Sequence, residues 1–503
     1  MVKEEDFSKL VNSSVLIAVG FVIAGLLSIL TRVLLGRFLE PEGYGMLSEG
    51  LAILNFFVIF ALLGTSEGVA RFISYRDKRE NTISSALALC LVTSVITGLI
   101  VFLFSENIAY LLDNESLSPV IKAFGLNIPA YVVTSVLIGG FRGEKRTAEK
   151  VLLQNLTLPL LIILSAAPLA FVYTSPSMAA AGYLLAGWLT MFIGLIIYYN
   201  KRCLNRPSFS RMKDLLSFSS PLMVAEYASF GLIWINILLL GYLIDSSAAG
   251  IYNAALPLSY AITFALTAVN YLFMPLTSIS FAENRIEDIK SLYQTVVRWI
   301  IVLSLPLVLV LILKPYFIVT TLFGSSYSAA SSVLVIIALG RFVDVAMGPL
   351  GQLLISIGDT AQEGISKVLG VLILTSSSLL LIPVYGVNGA AAGFLIGFTV
   401  TNLLRLFFVR RHFTITPLNK DLVKPVLAGL ISSPILLIGF EGIVSNISAI
   451  FGFGVLYVLI FLSLKPLKNE DIEAFLQVYS KIGLKPEYKE KLRNLLSKCQ
   501  RET

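Results

Sequence analysis

The residues able to do chemistry in this chain are charged groups set inside apolar stretches. Glu226 lies about ten residues into an apolar run at 216–243. Arg341 and Asp344 stand at i and i+3 inside the run 328–356, a spacing that puts both on one helical face and lets them pair. Arg32 and Glu49 fall towards the far ends of the first two runs, and Lys122 near the start of the fourth. A charge at the centre of a membrane helix costs about 2.5–3.5 kcal/mol on insertion scales, so each is expected to meet a cavity or a partner. Glu226 has no cation close in sequence and is expected to line a cavity, as a candidate for coupling to a proton or cation. Arg298 and Arg405 lie close enough to a basic loop to reach the surface along their stems, and read as anchors. Uncharged polar groups at depth include Asn55, Gln154, Tyr227, Asn253, Tyr260, Asn270 and Asn402. Each can hydrogen-bond a sugar or simply a neighbouring helix.

The balance of these charges points towards an anion. The cations Arg32, Lys122, Arg298, Arg341 and Arg405 outnumber the acids Glu49, Glu226 and Asp344. A carrier of organic cations is expected to line its cavity with carboxylates, whereas phosphate or pyrophosphate calls for arginine, whose forked donors match phosphate oxygens. No catalytic set is found. There is no phosphate-binding lysine loop for ATP hydrolysis, the one histidine, His412, sits in a basic loop, and Cys90, Cys203 and Cys499 lack metal-ligand or disulfide spacing. The expectation is a protein that is not an enzyme, holds no metal and needs no cofactor beyond an H+ or Na+ gradient or the membrane potential. The net charge of +7 is spread over short loops rather than gathered in a patch, so nucleic acid is not an expected partner.

Positioning these groups falls to helices that cross a bilayer. Of 503 residues 56% are hydrophobic and 14% charged, against about 25% charged in soluble domains. The expected fold is an all-α polytopic membrane protein with about fourteen spans. They lie at 11–35, 46–64, 82–104, 119–141, 151–173, 178–199, 216–243, 249–275, 293–313, 328–356, 366–384, 387–409, 423–440 and 446–464. The first run is too long for a signal-peptide core and is expected to stay as an anchor. Alternate loops are basic, as in Arg71, Arg76, Lys78 and Arg79, or Arg142, Lys145, Arg146 and Lys150, while those between carry Glu106, Asp113, Glu115 and Asp245. The positive-inside rule then places both termini in the cytoplasm and the chain in the cell membrane.

Two internal echoes organise the chain. LLGRFLEPEGYGMLSEGLAI at Leu34–Ile53 aligns without a gap on LLGYLIDSSAAGIYNAALPL at Leu239–Leu258, and MAAAGYLLAG at Met178–Gly187 on GAAAGFLIGF at Gly389–Phe398. A duplicated unit of about six spans is a common transporter plan. The expected organisation is an N-terminal lobe (1–211), a C-terminal lobe (212–413), a two-span hairpin (414–465) and a basic cytoplasmic tail (466–503). Within the tail, Asp471–Tyr479 and Tyr488–Leu496 read as short amphipathic helices.

These features together resemble a known family. An apolar span bearing Arg32, then LLGRFLEPEGYG with Gly36, Pro41, Tyr44 and Gly45, a second span, and LLGTSEGVARFISY with Arg71 before a basic loop is similar to the polysaccharide transporters. These are the Wzx-type lipid-linked oligosaccharide flippases. Their superfamily also holds the peptidoglycan-precursor (lipid II) flippases and the MATE multidrug antiporters, which are the alternative readings. The resemblance implies two six-helix lobes in a V around a central cavity, and alternating access that carries a polyprenyl-(pyro)phosphate-linked oligosaccharide to the outer leaflet for glycan assembly. Partners would be that lipid, the bilayer and possible glycan-assembly enzymes, with a monomer sufficient. On this reading Arg32 and Arg341 bind the headgroup and Asp344 orients Arg341. Asn55, Asn270 and Tyr227 line the cavity, Glu226 couples, and Glu49, Arg71 and Lys122 are secondary candidates.

Overall fold

The computed structural model describes residues 4–74, 81–199, 206–417, 420–438, 442–466 and 471. Among these every regular element is helical, as lipid requires of a chain that must satisfy its own backbone. The first part comprises α1 (Glu4–Leu62), α2 (Thr65–Ser74), α3 (Thr82–Leu103), α4 (Ser105–Leu111), α5 (Ser118–Gly143), α6 (Thr147–Val151), α7 (Leu158–Tyr173) and α8 (Pro176–Tyr199). Then come α9 (Phe209–Ser219), α10 (Leu222–Leu243), α11 (Ser246–Ser259), α12 (Phe264–Ala282), α13 (Ile286–Leu313) and α14 (Pro315–Phe323). The remainder is α15 (Ala330–Met347), α16 (Leu350–Ser356), α17 (Thr360–Tyr385), α18 (Val387–Arg410), α19 (Val423–Ser432), α20 (Pro434–Leu437) and α21 (Ile443–Ser463). Of the expected basic groups, Arg76, Lys78, Arg79, Lys201 and Arg202 lie outside the described residues, as does the tail apart from 466 and Asp471.

Twelve helices among the described residues are long and apolar enough to cross a membrane, against fourteen expected spans. The difference arises at two places. The first is α1, whose apolar stretch Ile23–Leu62 is 40 residues long. Glu40 breaks its helical geometry (φ 56°, ψ 178°) just before Pro41, where proline disfavours the helical conformation of its predecessor. Arg32 and Ser48, eight residues either side of Glu40, both reach the side chain of Asn253. A straight helix would hold them roughly 24 Å apart, so the chain folds back at Glu40 and α1 is two antiparallel arms. The second place is the expected span 423–440, which is split into α19 and the single turn α20 at Ser433–Pro434.

The repeated segments pack on each other. A Cβ built on Gly45 would lie 3.0 Å from the Gly250 backbone nitrogen, and one on Gly250 would lie 3.0 Å from that of Gly45. These glycines are equivalent in the alignment. So are Ser48 and Asn253, which are joined by a 2.7 Å hydrogen bond. The second echo repeats a helix crossing: Gly182 of α8 sits on Ala166 of α7, and its counterpart Gly393 of α18 sits on Ser378 of α17. Small residues let membrane helices approach closely where lipid offers no hydrophobic drive. Near the Glu40 fold, Arg37 Nε donates to the Leu322 carbonyl (2.6 Å) and the Tyr327 hydroxyl to the Gly36 carbonyl (2.8 Å), tying α1 to α14 and the turn after it.

Arg298 departs from its expected role. It does not reach out to the surface: it is 5% exposed, and its Nη2 donates to both oxygens of Asp471, at 2.6 and 2.7 Å. The Trp299 indole donates to the same carboxylate at 2.7 Å. Asp471, near the start of the tail, is thus pinned against α13.

Candidate functional site

Arg32 stands on the first arm of α1, two turns before the fold at Glu40. Its Nη1 donates to Asn253 Oδ1 (3.2 Å), and the Asn253 amide donates in turn to the Tyr44 hydroxyl (3.2 Å) and to Ser48 Oγ (2.7 Å). Asn253 is buried, and its amide is used up holding both arms of α1 to α11. Arg32 is left half-buried beside the Tyr44 and Tyr183 hydroxyls with no carboxylate partner among the described residues.

Arg341 comes from α15 and is 7% exposed. Its guanidinium carbon lies 4.7 Å from the ring centre of Tyr260, 5.0 Å from Phe394 and 4.8 Å from Phe398. Phe394 and Phe398 are themselves stacked 4.3 Å apart, one turn of α18 presenting both rings to the cation. Cation–π contacts of this kind are worth up to about 2 kcal/mol each when desolvated. They satisfy the charge but not the donors: Nε and Nη2 are buried without a partner among the described residues. Tyr260 is also close enough to Tyr44 to interact with it electrostatically, so the Arg341 and Arg32 groups are linked through Tyr260 and Tyr44.

Asp344 does not orient Arg341. Although i and i+3 on α15, Asp344 turns to α18, where Asn402 Nδ2 donates to it at 3.0 Å and Arg405 lies at 3.7 Å. Arg405 in turn grips Glu363 of α17 with two bonds, Nε at 2.8 Å and Nη2 at 2.7 Å, and Lys367 flanks the same carboxylate at 3.4 Å. Arg405 is 14% exposed and Glu363 7%, so Arg405 is a buried crosslink rather than a surface anchor. Two cations and two acids here close on each other. Glu363 escapes sequence reasoning because it appears to precede its span; α17 begins at Thr360 and carries it inside.

The other candidates scatter. Glu226 lies nearer a helix start than its place in the run 216–243 implied: the helix restarts at Leu222, so Glu226 lies in its second turn, within electrostatic reach of the Glu67–Arg142 ion pair (2.6 Å) that links α2 to α5. Glu49 is 1% exposed at the repeat seam, its carboxyl against Gly241 and one oxygen without a partner. Asn55 spends its amide on the Leu51 carbonyl of its own helix (2.7 Å), and the Tyr227 hydroxyl donates to the Phe56 carbonyl (3.3 Å). Asn270 of α12 keeps a buried Oδ1 without a partner among the described residues. Arg71 is exposed and lies 4.7 Å over the Phe218 ring, holding α2 to α9. Lys122 makes an open ion pair with Glu106 (2.8 Å). That contact holds the Glu106 carboxyl below its ordinary value of 4.5.

Comparison with known proteins bears on the family and the fold. A family model described as polysaccharide biosynthesis protein matches residues 34–332, more than half of the chain. A probable low-salt glycan biosynthesis flippase, Agl15 of Haloferax volcanii, is 23% identical over 472 residues, covering 92% of this chain and 97% of that protein. The probable flippase AglR of the same organism is 26% identical over 327 residues, 62% of this chain and 66% of that one. Among solved structures, the lipid II flippase MurJ in an inward closed conformation superposes with a TM-score of 0.71 at 15% identity, covering 89% and 98% of the two chains. An inward-facing MATE multidrug transporter of the MOP superfamily gives 0.66 at 16% identity, covering 77% and 94%. The chain has the fold of that superfamily, and by its sequence it belongs to the polysaccharide biosynthesis protein family.

Proposed function

We propose that the chain is a flippase for a lipid-linked oligosaccharide, carried on a polyprenyl phosphate or pyrophosphate. It moves the headgroup from the cytoplasmic to the outer leaflet of the cell membrane, with both its own termini in the cytoplasm. The observation that carries this reading is the pair of arginines without a carboxylate partner among the described residues. A buried charge without a partner is costly, and a chain that keeps Arg341 with two idle donors has a use for an anion there. Arg32 and Arg341, linked through Tyr44 and Tyr260, would take the phosphate oxygens. The lobes 1–211 and 212–413 would rock about the glycine seam at Gly45 and Gly250 to expose the site to each side in turn, the polyprenyl tail staying in lipid. The flippase names of Agl15 and AglR support the class of cargo. Coupling to a proton or sodium gradient would fall to Glu226, within electrostatic reach of the Glu67–Arg142 pair.

The test is reconstitution. Purified protein in liposomes with a fluorescent polyprenyl-pyrophosphate oligosaccharide should make inner-leaflet label accessible to an external quencher. Liposomes that instead move only cationic dyes would put the chain with the multidrug antiporters.

A further inference from the structure

A second cavity, of about 170 Å³, lies within the first eight helices, between α5, the start of α7 and α8. It has room for roughly six waters at ~30 Å³ each, about the bulk of one sugar ring. Its polar wall is made by Tyr131, Thr134, Ser135, Gln154 and Thr190, with Gly187 at the back, and no acid, lysine or arginine lines it. That composition suits neither an ion nor a phosphate.

One buried group on that wall lacks a partner among the described residues. Thr134 is 7% exposed and its hydroxyl is unpaired. Gly187 separates the cavity from fully buried Asn127, whose amide lies so close that a Cβ on Gly187 would collide with it. Buried polar groups are rarely left unsatisfied without a ligand or water to meet them. The wall also carries a π-helix over Leu152–Thr157, which brings Gln154 to the rim. Such widened turns inside α-helices are frequent at functional sites. An aromatic face with scattered hydroxyl and amide groups and no charge is the chemistry that recognises a neutral sugar.

We infer that this cavity is a subsite for one uncharged sugar ring of the carried glycan, a reading that rests on the flippase function proposed above. Its position supports the order of the substrate. Tyr131 and Arg32 both lie within electrostatic reach of Tyr183. A headgroup phosphate held at Arg32 would therefore deliver the sugar next to it along the Tyr183–Tyr131 line.

The test compares two lipids in proteoliposomes: polyprenyl pyrophosphate bearing a short neutral oligosaccharide, and bare polyprenyl pyrophosphate. Thr134→Val with Gln154→Leu should raise the half-saturating concentration of the sugar-bearing lipid about tenfold more than that of the bare one. Thr134→Ser, which restores a hydroxyl, should behave as wild type, and the melting temperature of each variant reports folding. Equal shifts for both lipids, or none for either, would overturn the subsite while leaving the flippase reading intact. A wild-type protein that moves neither lipid would overturn both.

Discussion

Arg341 and Arg405 are two buried arginines on packed helices of one half of the molecule, and they are held in opposite ways. Arg405 meets a bidentate carboxylate in Glu363, a second acid in Asp344 and the Asn402 side chain. Its charge and donors are answered within the fold. Arg341 meets three aromatic rings and no acid, and two of its donors are idle. The first arrangement fixes three helices together. The second keeps a desolvated cation with no acid against it among the described residues. Equal burial therefore says little about role; the partner decides.

The largest expected effect is on stability at the paired site. Arg405→Met removes the two bonds that hold the Glu363 carboxylate, leaving it only the longer Lys367 contact, and should lower the unfolding free energy by up to about 3–5 kcal/mol, read as a fall in the denaturation midpoint in detergent. Arg341→Met strands no acid, so it should cost far less or be neutral in that experiment while abolishing flipping. If the two variants lose stability equally, the contrast is broken. Adding Glu363→Gln to Arg405→Met removes the carboxylate's charge and should recover a large part of the loss; no recovery would mean the crosslink acts by packing alone.

An intermediate effect is expected at the repeat seam. Gly250→Ala places a methyl against the Pro41 carbonyl and the Gly45 backbone, and forcing α11 off α1 should cost about 1–3 kcal/mol and slow flipping as well. A variant of normal stability and rate would remove the seam from the proposed rocking motion. The smallest effect belongs to Lys122, at the exposed start of α5, and Glu106, outside the spans. Because Glu106 titrates below its ordinary 4.5 when folded, whatever the pair adds is present above that pH and is lost as pH falls through the lowered value. Lys122→Ala should leave melting at neutral pH within error of wild type, and a clear loss would show that exposure is no guide here.

Much of this was legible in the sequence because it depends on composition and spacing. The helical class follows from apolar length, and the repeat is visible in the alignment, though that its equivalent residues Gly45 and Gly250, or Ser48 and Asn253, pack on each other is visible only in the fold. The failures share a cause. Arg341 and Asp344 were expected to pair because i and i+3 share a face, yet Asp344 found Asn402 and Arg405 on α18, partners that no local spacing reveals. Glu226 was placed too far into its helix because the helix restart at Leu222 divides what reads as one apolar run from 216. Arg298 was taken for an anchor because Asp471 lies 173 residues away. Thr134 carries no sequence signal at all: an idle hydroxyl is visible only once the helices around it are in place.

The most direct measurement pairs transport and melting on one sample of Arg341→Gln. Reconstituted with a fluorescent polyprenyl-pyrophosphate oligosaccharide, it should flip the lipid no faster than protein-free liposomes while its melting temperature does not fall. Flipping at the wild-type rate would contradict an anion site at Arg341, and transport lost together with the fold would make Arg341 a structural residue like Arg405.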